Sequence, residues 1–561
     1  MRRAVTDVLF CAFTVISTAG ICQASIVSTG AQLWSLSDWP ATLGKRPTGA
    51  WQSHLPATLH LLALQNRGDF LLLGPFLERL QTGQAVHVAA LGASITFGHG
   101  AAKPFQKNSW AYQAFTSINA SFPNAGHRFT NAARPATSPS FAALCVDALV
   151  PPGVHLVMIE YSPNGSGHRG PQHRAVRDME QVLRKLMQRR QPPAILLVDW
   201  MGPYVKLPCD LSAGSPGSQY AVEGEEPIAG CGNARSREEA WSQPAVRFWN
   251  NAGDAFNVLA QFYGLPSVSA RNAFHHGFRH KASNFTLAKL TQDGLHPSTL
   301  GHRFLADLVV GAVLELYMMH QLPLPPVGDT SGRELEARLS ELRRQEPVIA
   351  GNFARYSSCG IGEELSTRII ASDGFELAFG GKLRDKPGML SEKPGSTLEL
   401  NLSTETEDPQ SFARFEPGNV PAPGSAKIPE RRSLVMLGFL AGPSMGRARV
   451  ECTRGCKCAP QEFHFQLAGD NSVVKLFDLP GVSRAPDCQI QISTLGSRNH
   501  VHPLVGGESR KKHRVKLMAV MVSDATSRSD LGQLCDGCAI PLDDANPDGY
   551  ISDMDEWPRL S

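Results

Sequence analysis

Between residues 86 and 269, short apolar runs alternate with stretches of helical periodicity, and this alternation limits the fold more than any other feature. Val86–Leu91, Arg128–Ala132, His155–Tyr161, Ala194–Val198 and Leu265–Ser269 read as strands. Between the third and fourth, Val176, Met179, Val182, Leu183, Leu186 and Met187 fall on one face of a helix that Pro192-Pro193 ends. Phe248–Tyr263 reads as a second helix, closed by Gly264, and Leu300–His320 as a long amphipathic one. Strands separated by helices of this length form a parallel sheet with helices on both faces. Functional groups in such folds gather at the carboxyl ends of the strands.

With 561 residues the chain is long enough for two or three domains, and 42% hydrophobic content places it among globular proteins. Lys and Arg number 54 against 51 Asp and Glu, a net charge of +3, so nothing in the charge favours nucleic acid or an anionic membrane as partner. Residues 1–24 have the pattern of a secretory signal: Arg2 and Arg3, an apolar stretch from Val8 to Cys22, and small residues before Ser25. Cleavage and secretion are expected, with an uncleaved anchor in the Golgi or secretory-pathway lumen as the alternative. No other segment is long and apolar enough to span a bilayer.

Of 12 cysteines, Cys11 and Cys22 lie in the signal, which leaves ten to pair in an oxidising compartment. Cys209 and Cys231 bracket a Gly/Ser/Pro-rich insertion, Cys452, Cys456, Cys458 and Cys488 cluster, and Cys535 and Cys538 lie near the end. Zinc is the alternative for the last two groups; the compartment favours disulfides, and no metal is expected. Asn119, Asn284 and Asn401 each open an Asn-x-Ser/Thr glycosylation triplet.

Residues 25–84 read as a lead-in ending in a helical segment from Phe70 to Leu80, and 85–321 as the α/β domain. Residues 322–349 read as a Pro-rich linker and a charged helix, 350–523 as a β-sandwich or jelly-roll-like module, and 524–561 as a polar tail. The module is read from short β-rich runs at 397–402, 433–439, 448–452, 462–467, 473–477, 489–493 and 514–522.

The chemistry lies in two segments. In His87-Val88-Ala89-Ala90-Leu91-Gly92-Ala93-Ser94-Ile95-Thr96-Phe97-Gly98-His99 an apolar run ends in a small-residue turn that carries a serine. Asp293-Gly294-Leu295-His296-Pro297 follows about 200 residues later. A serine so placed needs a base within about 3 Å, and a carboxylate three residues before a histidine reaches the imidazole and fixes its tautomer. Each residue singly has a plainer role: a small turn residue for Ser94, a cap before Pro297 for Asp293. Their combination points to nucleophilic catalysis at Ser94 with His296 as base and Asp293 as orienting acid.

These segments, with Tyr161-Ser162-Pro163-Asn164, resemble the first, third and fifth blocks of the SGNH (GDSL-type) hydrolases. The chain is also similar to the secreted algal and plant type, which carries an appended Cys-containing β-module. The resemblance implies a flavodoxin-like sheet, a serine esterase without cofactor, and an oxyanion hole from the Ser94 N–H, the Asn164 amide and a second-block N–H. In the second block, Asn131-Ala132-Ala133-Arg134-Pro135-Ala136-Thr137-Ser138, Ala136 stands where the family has glycine, so the alanine should bear a positive φ. The implied substrate is an acyl, chiefly acetyl, ester on cell-wall or extracellular polysaccharide. An acyltransferase with the same triad, or a glycan-binding scaffold without turnover, is the alternative. His99, His275, His276, His280 and His302 are taken as surface or loop histidines.

Overall fold

The structure, a computed structural model, describes residues 51–164, 174–201, 252–279, 285–322, 332–378, 386–405, 432–442, 445–466, 472–496 and 513–524. The signal segment, Cys209, Cys231, Cys535, Cys538, Asn284 and His280 lie outside the described residues.

The first sheet contains β1 (Leu64–Asn66), β2 (His87–Gly92), β3 (Arg128–Asn131), β4 (Leu156–Glu160), β5 (Ala194–Asp199) and β6 (Ser267–Ser269), in the order β1-β6-β5-β4-β2-β3. β2 to β6 pair in parallel. Every residue of β4 and β5 is buried, which is why both read as unbroken apolar runs. Successive side chains go to opposite faces: Ala89, Leu91, Val157 and Ile159 enter one core, and Val88, Ala90, Leu156 and Met158 the other.

One correction concerns the segment read as a lead-in. It supplies helices α1 (Ala57–Ala63) and α2 (Leu73–Gln81) and, between them, β1, which pairs antiparallel with β6. The sheet is therefore mixed at one edge. A three-residue, half-buried strand has too little periodicity to be seen in sequence.

Among the remaining helices are α3 (Ser94–Phe97), α4 (Trp110–Ser121), α5 (Pro139–Leu149), α6 (Arg174–Met187), α7 (Gly253–Phe262) and α8 (Thr299–His320). In α6 the polar residues Glu180, Gln181, Arg184 and Lys185 are buried as well as the apolar stripe. The cover is the chain at 345–353, which runs from the end of the charged helix across the boundary expected at 349/350. Glu180 accepts from Val348 N (2.6 Å), Asn352 Nδ2 (2.7 Å) and Tyr263 Oη (2.6 Å), and Gln345 O accepts from Arg184 at 2.9 Å. Such pairing offsets the cost of burying the carboxylate and guanidinium.

The C-terminal part is two antiparallel sheets. Its strands are β7 (Ser357–Ile361), β8 (Ile369–Asp373), β9 (Glu376–Ala378), β10 (Gly388–Ser391), β11 (Thr397–Leu402), β12 (Arg432–Ala441), β13 (Arg447–Arg454), β14 (Gln461–His464), β15 (Val473–Ser483), β16 (Cys488–Leu495) and β17 (Val515–Ser523). One sheet runs β15-β12-β17-β10-β9, with β7 also on β17; the other runs β14-β13-β16-β11-β8. β7 to β10 lie ahead of the strands expected from sequence.

β12 and β17 are buried on both faces. Val435, Leu437, Val520 and Val522 face the second sheet, while Leu434, Met436, Ala519 and Met521 join the core of the α/β domain. The module is thus packed into that domain. A disulfide, Cys145–Cys359, ties α5 to β7 across the same boundary. Beside it the buried Lys185 ammonium donates to Ala143 O at 2.7 Å and to Ser357 Oγ at 2.6 Å. The clustered cysteines form Cys452–Cys458 and Cys456–Cys488, which is the disulfide rather than the zinc alternative. No helix among the described residues is long and apolar enough to cross a membrane.

Candidate active site

Ser94 opens α3 directly after β2. Gly92 permits the turn: a Cβ there would stand 2.5 Å from Glu160 O and 2.1 Å from Thr96 Oγ1. The loop from Asp293 to His296 is closed by Gln292 N donating to His296 O (2.9 Å) and Trp200 Nε1 donating to Leu295 O (2.9 Å). Gly100 lets the serine loop reach it, since a Cβ there would lie 2.1 Å from Pro297 O. The next helix, α8, is capped by Ser298, whose hydroxyl accepts from Gly301 N.

These constraints bring the three residues into one line. His296 Nε2 lies 2.9 Å from Ser94 Oγ, and His296 Nδ1 lies 2.6 Å from Asp293 Oδ2. Asp293 Oδ1 also accepts from His296 N (2.8 Å) and Leu295 N (3.0 Å). Burial would raise the Asp293 carboxyl, but its hydrogen bonds to His296 and the imidazole charge outweigh that and hold it down to about 2. An ionised Asp293 keeps the proton on Nδ1 and leaves Nε2 to accept from Ser94. The serine and histidine are half-buried and the carboxylate more exposed.

Ala136 has φ +63°, the left-handed value expected of it. It is the third residue of a turn over 134–137 whose second is Pro135, the type II pattern that requires positive φ at that place. Arg134 N donates to Gly92 O at 2.9 Å and Thr137 Oγ1 to Arg134 O at 2.6 Å, which holds the turn beside the serine strand. Asn164 ends a single 3-10 turn, Ser162–Asn164, directly after β4, and its N–H donates to Tyr161 O at 2.9 Å. The candidate oxyanion donors therefore follow β2, β3 and β4, three adjacent strands.

Residues that sequence did not single out hold this frame. Glu160, fully buried at the end of β4, bonds Thr96 Oγ1 (3.4 Å) and Ser162 Oγ (3.2 Å). Burial, then the nearby Asp199 carboxyl, pushes it up to about 8, so it is protonated at neutral pH. His302 is a correction: it is fully buried, not a surface histidine. It accepts from Trp110 N at Nδ1 (3.2 Å), so its Nε2–H donates to His99 O (2.9 Å). Burial pushes it down to about 4. His99 is half-buried, with its ring 5.6 Å from that of His296 and 6.0 Å from Phe105. His275 is also half-buried. Among the described residues the cluster of soft metal ligands, Cys452, Cys456 and Cys488, is taken up in disulfides.

Of the candidate glycan sites, Asn401 is exposed on β11, whereas Asn119 is half-buried in α4 and its Oδ1 accepts from Asn124 N at 3.4 Å.

No protein-family model matches the chain, and no curated protein sequence matches it. Among solved structures it is similar to the crystal structure of a two-domain esterase (CEX) active on acetylated mannans, with a TM-score of 0.51 and 15% identity over 83% of this chain and 99% of that one. The same esterase co-crystallized with mannopentaose gives a TM-score of 0.51 and 16% identity over 85% and 100%. The chain therefore shares the fold of that two-domain protein, a parallel-sheet core with added antiparallel sheets. The likeness spans both domains.

Proposed function

We propose that the chain is a secreted serine esterase of the SGNH type that removes acyl groups, chiefly acetyl, from extracellular polysaccharide. The observation that carries this reading is the continuous line Ser94 Oγ, His296 Nε2, His296 Nδ1, Asp293 Oδ2, with contacts of 2.9 and 2.6 Å. In the proposed reaction Ser94 Oγ attacks the acyl carbon while His296 Nε2 takes its proton. The N–H groups of Ser94 and Ala136 and the Asn164 amide hold the oxyanion, each such donor accounting for about 10²–10³ in rate. His296 then gives the proton to the departing sugar oxygen, leaving acyl-Ser94. Water, deprotonated by His296, attacks that ester and releases the carboxylic acid and free Ser94.

A carbohydrate ester as substrate is supported by the activity of the two-domain neighbour on acetylated mannans. Secretion is supported by the leader pattern and by the disulfides. The glycine-like φ of Ala136 supports turnover over a glycan-binding scaffold, because it keeps the second-block N–H as a candidate oxyanion donor. Incubation with acetylated mannan and acetylated xylan tests the reading. Acetate release by wild type, absent in His296→Ala, is expected. Binding to the glycan with no acetate release would favour the scaffold.

A further inference from the structure

We propose that the C-terminal module holds residue 136 in its left-handed conformation, which makes Val474 a positioning residue for the oxyanion site. The kinetic side of this inference rests on the esterase reading above.

A non-glycine residue at φ +63° is strained and persists only where its surroundings enforce it. The turn on its own would drift toward the common backbone regions. Its carbonyl is engaged from outside the α/β domain: Val474 N donates to Ala136 O at 3.0 Å. Val474 lies on β15, the outer strand of its sheet, opposite Leu440 of β12. Its N–H is directed away from β12, so the 134–137 turn uses a donor that an outer strand would otherwise leave to water.

The strand is placed firmly enough to act as an anchor. Val474 and Leu476 pack against the core shared with the α/β domain. Downstream of the turn, α5 begins at Pro139 and is fixed to β7 by Cys145–Cys359. Ser357, on the same strand, donates to Leu144 O at 2.7 Å and accepts from Lys185. Upstream, Arg134 N is held by Gly92 O. With both flanks and the carbonyl fixed, the Ala136 N–H has one direction. The module thus substitutes for the conformational freedom a glycine would supply.

Val474→Pro tests this. It removes the outward N–H and sets the ring Cδ against Ala136 O, so the contact is lost, while the ladder to β12 does not use that donor. The expected result is a fall in kcat of about tenfold or more with KM little changed, because an oxyanion donor acts in the transition state. Adding Ala136→Gly to Val474→Pro should restore most of kcat, since glycine takes positive φ readily. A Val474→Pro enzyme with wild-type kcat, or a loss that glycine does not repair, would overturn the inference. An inactive wild type would sink the esterase reading instead. Amide exchange of folded wild type then decides the contact alone: protection of the Val474 N–H is expected, and exchange as fast as a free strand edge refutes it.

Discussion

Glu160 and Thr96 meet beneath the nucleophile turn, the carboxyl of one lying 3.4 Å from the hydroxyl of the other. On its other oxygen Glu160 takes the hydroxyl of Ser162 at 3.2 Å. One buried side chain thus links the turn that carries Ser94 to the turn that carries Asn164, and the spacing of the two loops depends on it.

Stability should fall as pH rises through the Glu160 titration. Its folded value, about 8, lies above the ordinary glutamate value of 4.5, so the folded state binds the extra proton. The contribution is complete below about 4.5, declines above it, and is lost as pH passes 8. Glu160→Gln, which keeps a neutral hydrogen-bonding side chain, should flatten the thermal-midpoint profile between about pH 5 and 8. A variant profile as steep as wild type would assign the alkaline loss elsewhere.

His302 acts in the opposite direction. Its folded value, about 4, lies below the ordinary histidine value of 6.5, so unfolding takes up a proton and stability drops as pH falls from 6.5 through 4. His302→Ala also deletes a buried ring and leaves Trp110 N and His99 O unpaired, a loss of about 2–4 kcal/mol. Urea unfolding at pH 7 measures the loss, and the same titration at pH 5 should show a smaller gap between variant and wild type.

Replacing Asp293 separates orientation from folding. Asp293→Asn can present its NH₂ group to Nδ1 and so favour the wrong imidazole tautomer, and kcat should fall about 10⁴-fold with KM near wild type. Circular dichroism should show an unchanged fold, because the carboxylate is partly exposed. A drop of less than tenfold would mean that His296 is held in its working tautomer by something else.

The Cys145–Cys359 disulfide, 214 residues apart in sequence, should be the strongest covalent contribution to the union of the two domains. Its removal as the paired Ala variant should cost about 2–5 kcal/mol. Chemical unfolding followed separately through the α/β core and the module reads it. If the two parts are packed as one, both signals should shift together; a shift in the module alone would contradict the shared core.

What could be read from the chain followed from locality. Ser94, the Asp293–His296 spacing and the five parallel strands of the first sheet are each written in fewer than ten neighbouring residues. The positive φ of Ala136 was legible through the resemblance alone, because the family has glycine at that place. Less could be read where a residue's meaning depends on distant chain. Cys145 finds Cys359 only through folding, and β1 is too short to show a period. Glu180 looks like a solvated helix residue until residues 348–352 cover it. β12 announced itself as apolar, but that both of its faces are used, one by each core, is a fact of tertiary packing.

The central claim is that Ser94 is an activated nucleophile. Intact-mass measurement after exposure to a fluorophosphonate tests it most directly, with Ser94→Ala and His296→Ala alongside. One adduct on wild type, mapped to Ser94, is expected, with none on Ser94→Ala and labelling slowed at least ~10³-fold in His296→Ala. A folded wild type that takes no label, or takes it on another residue, would contradict the account.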